Sequence, residues 1–196
     1  SIIRIQMIDR MNEYKVKRKK RQLRRIIFAF IFIGFATLLS WFFESQATTT
    51  ILLTTHTQIN SDLKSNSGLN KEGIKRADKL QEMLQSIDVI AGLDAIYATP
   101  VRATQETAEP LSKSLSIPIN IIESQNVDGL IDTIMRKHKG KIILVVTHPD
   151  TLLRLIMELQ GSKKIDQKTV DELNQIFIVS VPWFGKVKTL QLQYGS

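Results

Sequence analysis

The sequence predicts a three-layer α/β domain preceded by a single transmembrane helix. Three observations carry that expectation. An 18-residue run without a charge lies near the N-terminus. From residue 49 onward, short β-branched apolar runs alternate with segments of helical periodicity. Residues 142–146 read Ile-Ile-Leu-Val-Val, apolar enough for a central strand covered on both faces.

Charge divides the chain the same way. Ten of its 27 basic residues fall in residues 1–25, against two acids, Asp9 and Glu13, and the remainder carries 17 of each sign. The net charge of +8 therefore belongs to the N-terminal arm. A nucleic-acid partner, which calls for a basic patch on the folded part, is not expected. The 43% apolar content supports a packed core and excludes a wholly disordered chain. The absence of cysteine excludes a disulfide framework and a zinc site built on thiolates.

Residues 26–43 read IIFAFIFIGFATLLSWFF. At ~1.5 Å per residue a helix of this length spans roughly 27 Å, close to the hydrocarbon thickness of a bilayer. Trp41 suits the interfacial aromatic belt. A buried core helix would show a polar stripe, and this run offers only Thr37 and Ser40. Ser45-Gln46-Ala47 has the small residues of a signal-peptidase site, but the apolar run is longer than the ~7–15 residues of a signal peptide, so an uncleaved anchor is expected. Eight basic residues between Lys15 and Arg25 precede the span and place that side in the cytoplasm. The expected organisation is a basic cytoplasmic arm at 1–25, a transmembrane helix at 26–43 and a folded domain at 44–196. This makes a single-pass protein of the inner (cytoplasmic) membrane with a periplasmic or extracytoplasmic domain. The bilayer is the expected partner, through 26–43 and through the basic arm at 15–25, which meets anionic head groups. The apolar side chains of Ile2, Ile3, Ile5, Met7, Ile8 and Met11 suit an interfacial helix or a subunit contact.

Within the domain, residues 49–54 predict a buried strand and residues 69–85 a helix capped by Asn70, with Leu69, Ile74, Ala77, Leu80 and Leu84 toward the core. Strands are expected at 94–98, 117–122 and 141–147, and helices at 102–115, 127–139 and 151–160. Two closing strands, 176–181 and 187–193, flank Trp183-Phe184-Gly185 as a hairpin. In such sheets ligands sit beyond the C-terminal ends of the strands, and His56 and His148 both fall there. His138, in Arg136-Lys137-His138-Lys139, reads as a solvated residue compensating a helix C-terminus.

Four segments carry a family resemblance. Residues 51–58 (ILLTTHTQ) resemble the opening strand and nucleophile motif of the histidine phosphatase superfamily, the phosphoglycerate mutase-like fold. Residues 68–77 (GLNKEGIKRA) are similar to its Leu-Thr-x-x-Gly-x-x-x-Ala landmark. Residues 97–108 (YATPVRATQETA) are similar to its Ser-Pro-x-x-Arg segment, and residues 145–151 (VVTHPDT) to its second-histidine motif. The end of the chain is like the closing strands of small bacterial members. The resemblance implies that His56 is a nucleophile attacking phosphorus, with His148 and two arginine forks on the phosphoryl oxygens and a carboxyl group as proton donor. It implies no cofactor and no metal. A metal site from His56, His148 and Asp150 is the lesser reading, because the resemblance accounts for both histidines.

The sequence departs from that pattern at the cationic positions. Thr55 stands where the family has arginine, the second arginine position falls on Ala103, and Gln58 replaces a frequent glutamate. Losing an oriented transition-state donor costs ~2.7–4 kcal/mol, so two such losses imply roughly 10³- to 10⁶-fold in rate if additive. The expected site therefore comprises His56, His148 and Glu123 as catalytic candidates, and Thr55, Arg102 and Asp150 around the substrate. Lys71 and Arg76 are further cations that could reach it. Glu123 and Asp150 have a plainer reading as loop polarity, with Asp150 capping the helix at 151. Two functions follow: a catalytically impaired, membrane-anchored domain serving as a binding or accessory subunit of a membrane assembly, or an active extracytoplasmic phosphomonoesterase working through phospho-His56.

Overall fold

The structure, a computed structural model, describes residues 2–45, 48–60, 66–87 and 92–194. They fall into two compact units, Ser1–Ser45 and Gln46–Ser196.

The first unit is one helix, α1 (Ile2–Ser45). It takes in the basic arm as well as the apolar run, and every side chain from 26 to 43 is exposed. Its stretch Glu13–Phe43 is long and apolar enough to cross a membrane. Thr37, one of its two hydroxyl residues, donates to the carbonyls of Ile33 and Gly34 at 3.0 and 2.9 Å, which satisfies its hydroxyl without water. Gln46 and Ala47, from the peptidase-like triplet, lie outside the described residues.

The second unit is a six-stranded mixed sheet ordered β3-β2-β4-β1-β5-β6. Strands β1 (Thr49–Thr55), β2 (Ala95–Ala98), β3 (Ile119–Ile121) and β4 (Ile142–Thr147) are parallel, while β5 (Gln175–Val181) runs antiparallel to β1 and pairs with β6 (Lys188–Gln193) as a hairpin. The continuous apolar run of β4 sits between β1 and β2, as a strand covered on both faces must.

Alternation along the strands sorts the core into two layers. Ile51, Leu53, Ile143, Val145, Phe177 and Val179 pack against α4 (Val127–Lys137), α5 (Pro149–Glu158) and the short α6 (Gln167–Val170). Leu52, Ile96, Leu144, Val146 and Ile176 pack against α2 (Lys71–Ser86) and α3 (Arg102–Leu115). Each fully buried aliphatic side chain contributes ~1.5–3 kcal/mol relative to exposure.

Local differences from expectation have local causes. Asn70 caps α2 by accepting from the Gly73 amide at 2.8 Å, as its position predicts. Ile74, expected in the core, is exposed, because α2 turns it toward the groove beside α3. Helix α5 begins at Pro149, which suits the first helical position, so His148 is its N-cap and Asp150 lies in its first turn rather than capping it. The four-residue α6, capped by Asp166, has no apolar periodicity to announce it.

His138 corrects the expectation of a solvated, charge-compensating residue. It is half-buried, its Nε2 lies 2.9 Å from the Tyr97 hydroxyl, and the rings meet edge to face. Burial, then Lys141, lowers its pKa, so the neutral ring is favoured.

Candidate active site

Two adjacent parallel strands deliver the imidazoles. β1 and β4 end in register at Thr55 and Thr147, and the next residue of each strand is a histidine. The His56 amide donates to the Thr147 carbonyl at 3.2 Å, which holds the ladder closed to its last residue. The rings of His56 and His148 stand edge to face with centroids 5.6 Å apart. His56 Nδ1 lies 2.9 Å from the Thr57 carbonyl oxygen. A carbonyl can only accept, so Nδ1 carries the hydrogen, and in the neutral ring the lone pair is on Nε2. That tautomer is the one a nucleophile requires.

The turn after His56 is clamped from two helices. Thr57 Oγ1 donates to the Gly73 carbonyl at 2.8 Å, and the Asn70 amide donates to the Gln58 carbonyl at 3.0 Å. The Thr57 amide donates to Thr107 Oγ1 at 3.1 Å, and that hydroxyl donates to the Ala103 carbonyl at 2.8 Å. Gly73 is required by contact: a Cβ there would lie 2.1 Å from the Gln58 carbonyl oxygen.

His148 is held more loosely. Its Nε2 lies 3.4 Å from Thr99 Oγ1, which itself bonds Thr104 Oγ1 at 2.8 Å. Burial lowers its pKa, and His56 lowers it further, while Asp150 opposes them. The threonine scaffold (Thr57, Thr99, Thr104, Thr107) escaped sequence reasoning, although its clustering around 99–107 was visible as a run of small hydroxyl residues.

The remaining candidates are distributed as follows. Arg102 donates from Nε to Glu106 Oε1 at 2.5 Å, and its side chain is 61% exposed beside the groove between α2 and α3. Glu106 also accepts the Leu69 amide at 2.7 Å, so this pair staples α3 to the approach of α2. Ala103 is fully buried. Arg76 reaches the His56 turn, where its guanidinium donates to the Gln58 side-chain oxygen at 3.2 Å through one nitrogen and more closely through the other. Lys71 is exposed. Glu123 is exposed on the loop after β3, and Asp150 accepts from Gln167 Nε2 at 3.1 Å. Thr55 and Thr147 are buried, and neither hydroxyl has a hydrogen-bond partner. Among the described residues, no group of three or more His, Asp or Glu side chains could hold a metal ion.

The arrangement offers the His56 Nε2, the His148 imidazole and the N-terminal end of α5, whose free amides favour negative charge. The cation nearest in the fold to the His56 turn for which a contact is shown is Arg76, three residues after Gly73 on α2 and bonded to the Gln58 side chain.

Comparison with known proteins agrees with this geometry. The profile of the histidine phosphatase superfamily (branch 1) matches residues 51–126. No curated protein sequence matches the chain. Among solved structures, a presumed phosphohistidine phosphatase SixA from Agrobacterium tumefaciens is similar with a TM-score of 0.58 at 12% identity, covering 75% of this chain and 97% of that one. A corresponding SixA from Nakamurella matches with a TM-score of 0.55 at 15% identity, over 76% of this chain and 98% of that one. A mutant phosphoserine phosphatase from Entamoeba histolytica, solved with phosphoserine, gives 0.55 at 13% identity, over 76% and 97%. At these identities the likeness is one of fold. The profile match begins in β1 and ends just before α4, and with the motifs in order and both histidines at one sheet edge the domain has a histidine phosphatase-like fold.

Proposed function

We propose that this chain is a membrane-anchored histidine phosphatase-like domain whose phosphoryl transfer is impaired, serving as a binding or accessory subunit of a membrane assembly. The observation that carries the reading is the engagement of Arg102: Glu106 accepts from its Nε at 2.5 Å and it stands beside the α2–α3 groove. With Arg102 held by Glu106, a phosphoryl dianion at the two imidazoles lacks the arginine fork that would stabilise its transfer. In this reading α1 is the anchor, with the basic arm on the cytoplasmic side and the domain on the other, in a periplasm where the cell has one. The bilayer is then a partner through 26–43 and 15–25, and nucleic acid is not. His56 and His148 remain as ligand-binding groups, with Thr55 and Asp150 beside them.

A second reading, an active extracytoplasmic phosphomonoesterase, is favoured by the His56 tautomer and by the approach of Arg76. There His56 is the nucleophile, His148 a phosphate ligand, Arg76 the clamp and Glu123 the proton donor. The test is turnover of a phosphomonoester by the full chain in lipid nanodiscs. Impairment predicts a rate far below the ~1 s⁻¹ at which ordinary enzymes begin, unchanged by Arg76→Ala. Turnover above that rate, abolished by His56→Ala, overturns it.

A further inference from the structure

The end of the sheet opposite the histidines carries a surface that neither reading uses. β5 runs antiparallel to β1 with Thr49 paired to Val181, so the β5–β6 turn lies beside the first residue of β1. That turn is Pro182-Trp183-Phe184-Gly185-Lys186, with Gly185 at φ 114°. Trp183 is 56% exposed and Phe184 82% exposed. The chain between α4 and β4 reaches the same end: the Gly140 amide donates to Thr49 Oγ1 at 3.0 Å, and the Thr50 amide donates to the Lys141 carbonyl at 2.9 Å. Lys139 places its ammonium 5.8 Å from the Trp183 ring centroid. Lys137, Lys139, Lys186 and Lys188 are exposed and form no ion pair among the described residues, whereas Asp94 lies 3.9 Å from Lys141 and Asp132 holds Arg136.

We propose that this edge is a membrane-contact surface whose occupant is the interfacial layer of an anionic bilayer, with Trp183 and Phe184 among the head groups and the surrounding lysines on lipid phosphates. Two exposed aromatic rings at a turn, ringed by unpaired lysines, match the composition of interfacial anchors. The lysines complement anionic lipid, whose attraction acts within a Debye length of the surface. Only residues 46–48 stand in the chain between α1 and Thr49, where β1 starts at this edge, whereas His56 follows seven residues later. The proposal thus rests on α1 being the anchor.

The experiment uses the full chain in vesicles of equal parts phosphatidylcholine and phosphatidylglycerol, with lipids brominated near the headgroup end of the acyl chains. Trp41 and Trp183 are the only tryptophans. Trp41→Phe leaves Trp183 as reporter of the hairpin, and Trp183→Phe leaves Trp41 as reporter of the anchor. Trp183 emission is expected to shift to the blue and to lose about half its intensity to the bromines. Lys139→Glu with Lys186→Glu, or replacement of the phosphatidylglycerol by phosphatidylcholine, reduces that loss. Quenching of Trp41 without quenching of Trp183 leaves the anchor standing and overturns the membrane-contact edge. A blue-shifted Trp183 that bromine does not quench assigns the hairpin to a protein contact and also overturns it. Absence of quenching at both positions overturns the anchor and the edge together.

Discussion

Thr55 and Thr147 are partners in register on β1 and β4, and each buries a hydroxyl without a hydrogen-bond partner directly before a histidine. A buried unsatisfied hydroxyl costs about 1–3 kcal/mol, and its replacement by a methyl of similar shape removes that cost. Thr55→Val and Thr147→Val are therefore expected to stabilise the domain by about 1 kcal/mol each. For a unit of this size that raises Tm by about 2–4 °C per substitution, read by calorimetry. A lower Tm would show that an ordered water already satisfies the hydroxyl.

Stability should fall in mild acid. Burial, then His56, lowers the His148 pKa below its ordinary 6.5, and burial, then Lys141, lowers that of His138. A folded state with a lowered histidine pKa binds fewer protons than the unfolded chain. Its contribution is fully present above the unfolded pKa and is lost as pH falls from 6.5 through the folded value. Denaturant midpoints are expected to decline with pH across that window. His148→Gln flattens part of the decline, and unchanged slopes in the variant would refute the assignment to His148.

Gly73→Ala tests the clamp on the His56 turn. The added Cβ meets the Gln58 carbonyl oxygen, and backbone must move to admit it. Overpacking of this kind costs about 1–3 kcal/mol. The displacement also strains the bonds from Thr57 to Gly73 and from Asn70 to Gln58, so the His56 ring resonances in NMR should shift with it.

Arg102→Ala and Glu106→Ala should differ. The Arg102–Glu106 pair is largely exposed at its arginine, and such pairs contribute about 0–1 kcal/mol. Glu106 additionally accepts the Leu69 amide, a charged hydrogen bond contributing about 1.5–3 kcal/mol. Glu106→Ala is thus expected to be the more destabilising. Arg102→Ala should leave the titration of His148 unchanged, and a shift there would bring Arg102 into the cleft.

The elements with strong periodicity were legible from the residues alone. β4 is apolar on both faces and β1 nearly so, and α3 begins and ends at the residues its pattern gives. Both histidines at one sheet edge followed from strand polarity. Contacts between distant residues were not legible: Tyr97 with His138, and Thr57 with Thr107, lie 41 and 50 positions apart and depend on how helices seat on the sheet. Exposed Ile74 shows the limit of periodicity, which gives a helix face but not where the neighbouring helix stops covering it. The Arg102–Glu106 spacing was readable as i, i+4, and it argues against Arg102 as a free phosphate clamp.

The direction of β1 has one more consequence. The strand runs from the basic, aromatic end to His56 in seven residues, about 23 Å at ~3.3 Å per residue. Were the proposed lipid contact formed at the hairpin, a phosphate at headgroup depth would stay about a strand's length short of the imidazoles. Reactants or ligands then arrive from the aqueous compartment, or on a tether long enough to climb the height of the sheet.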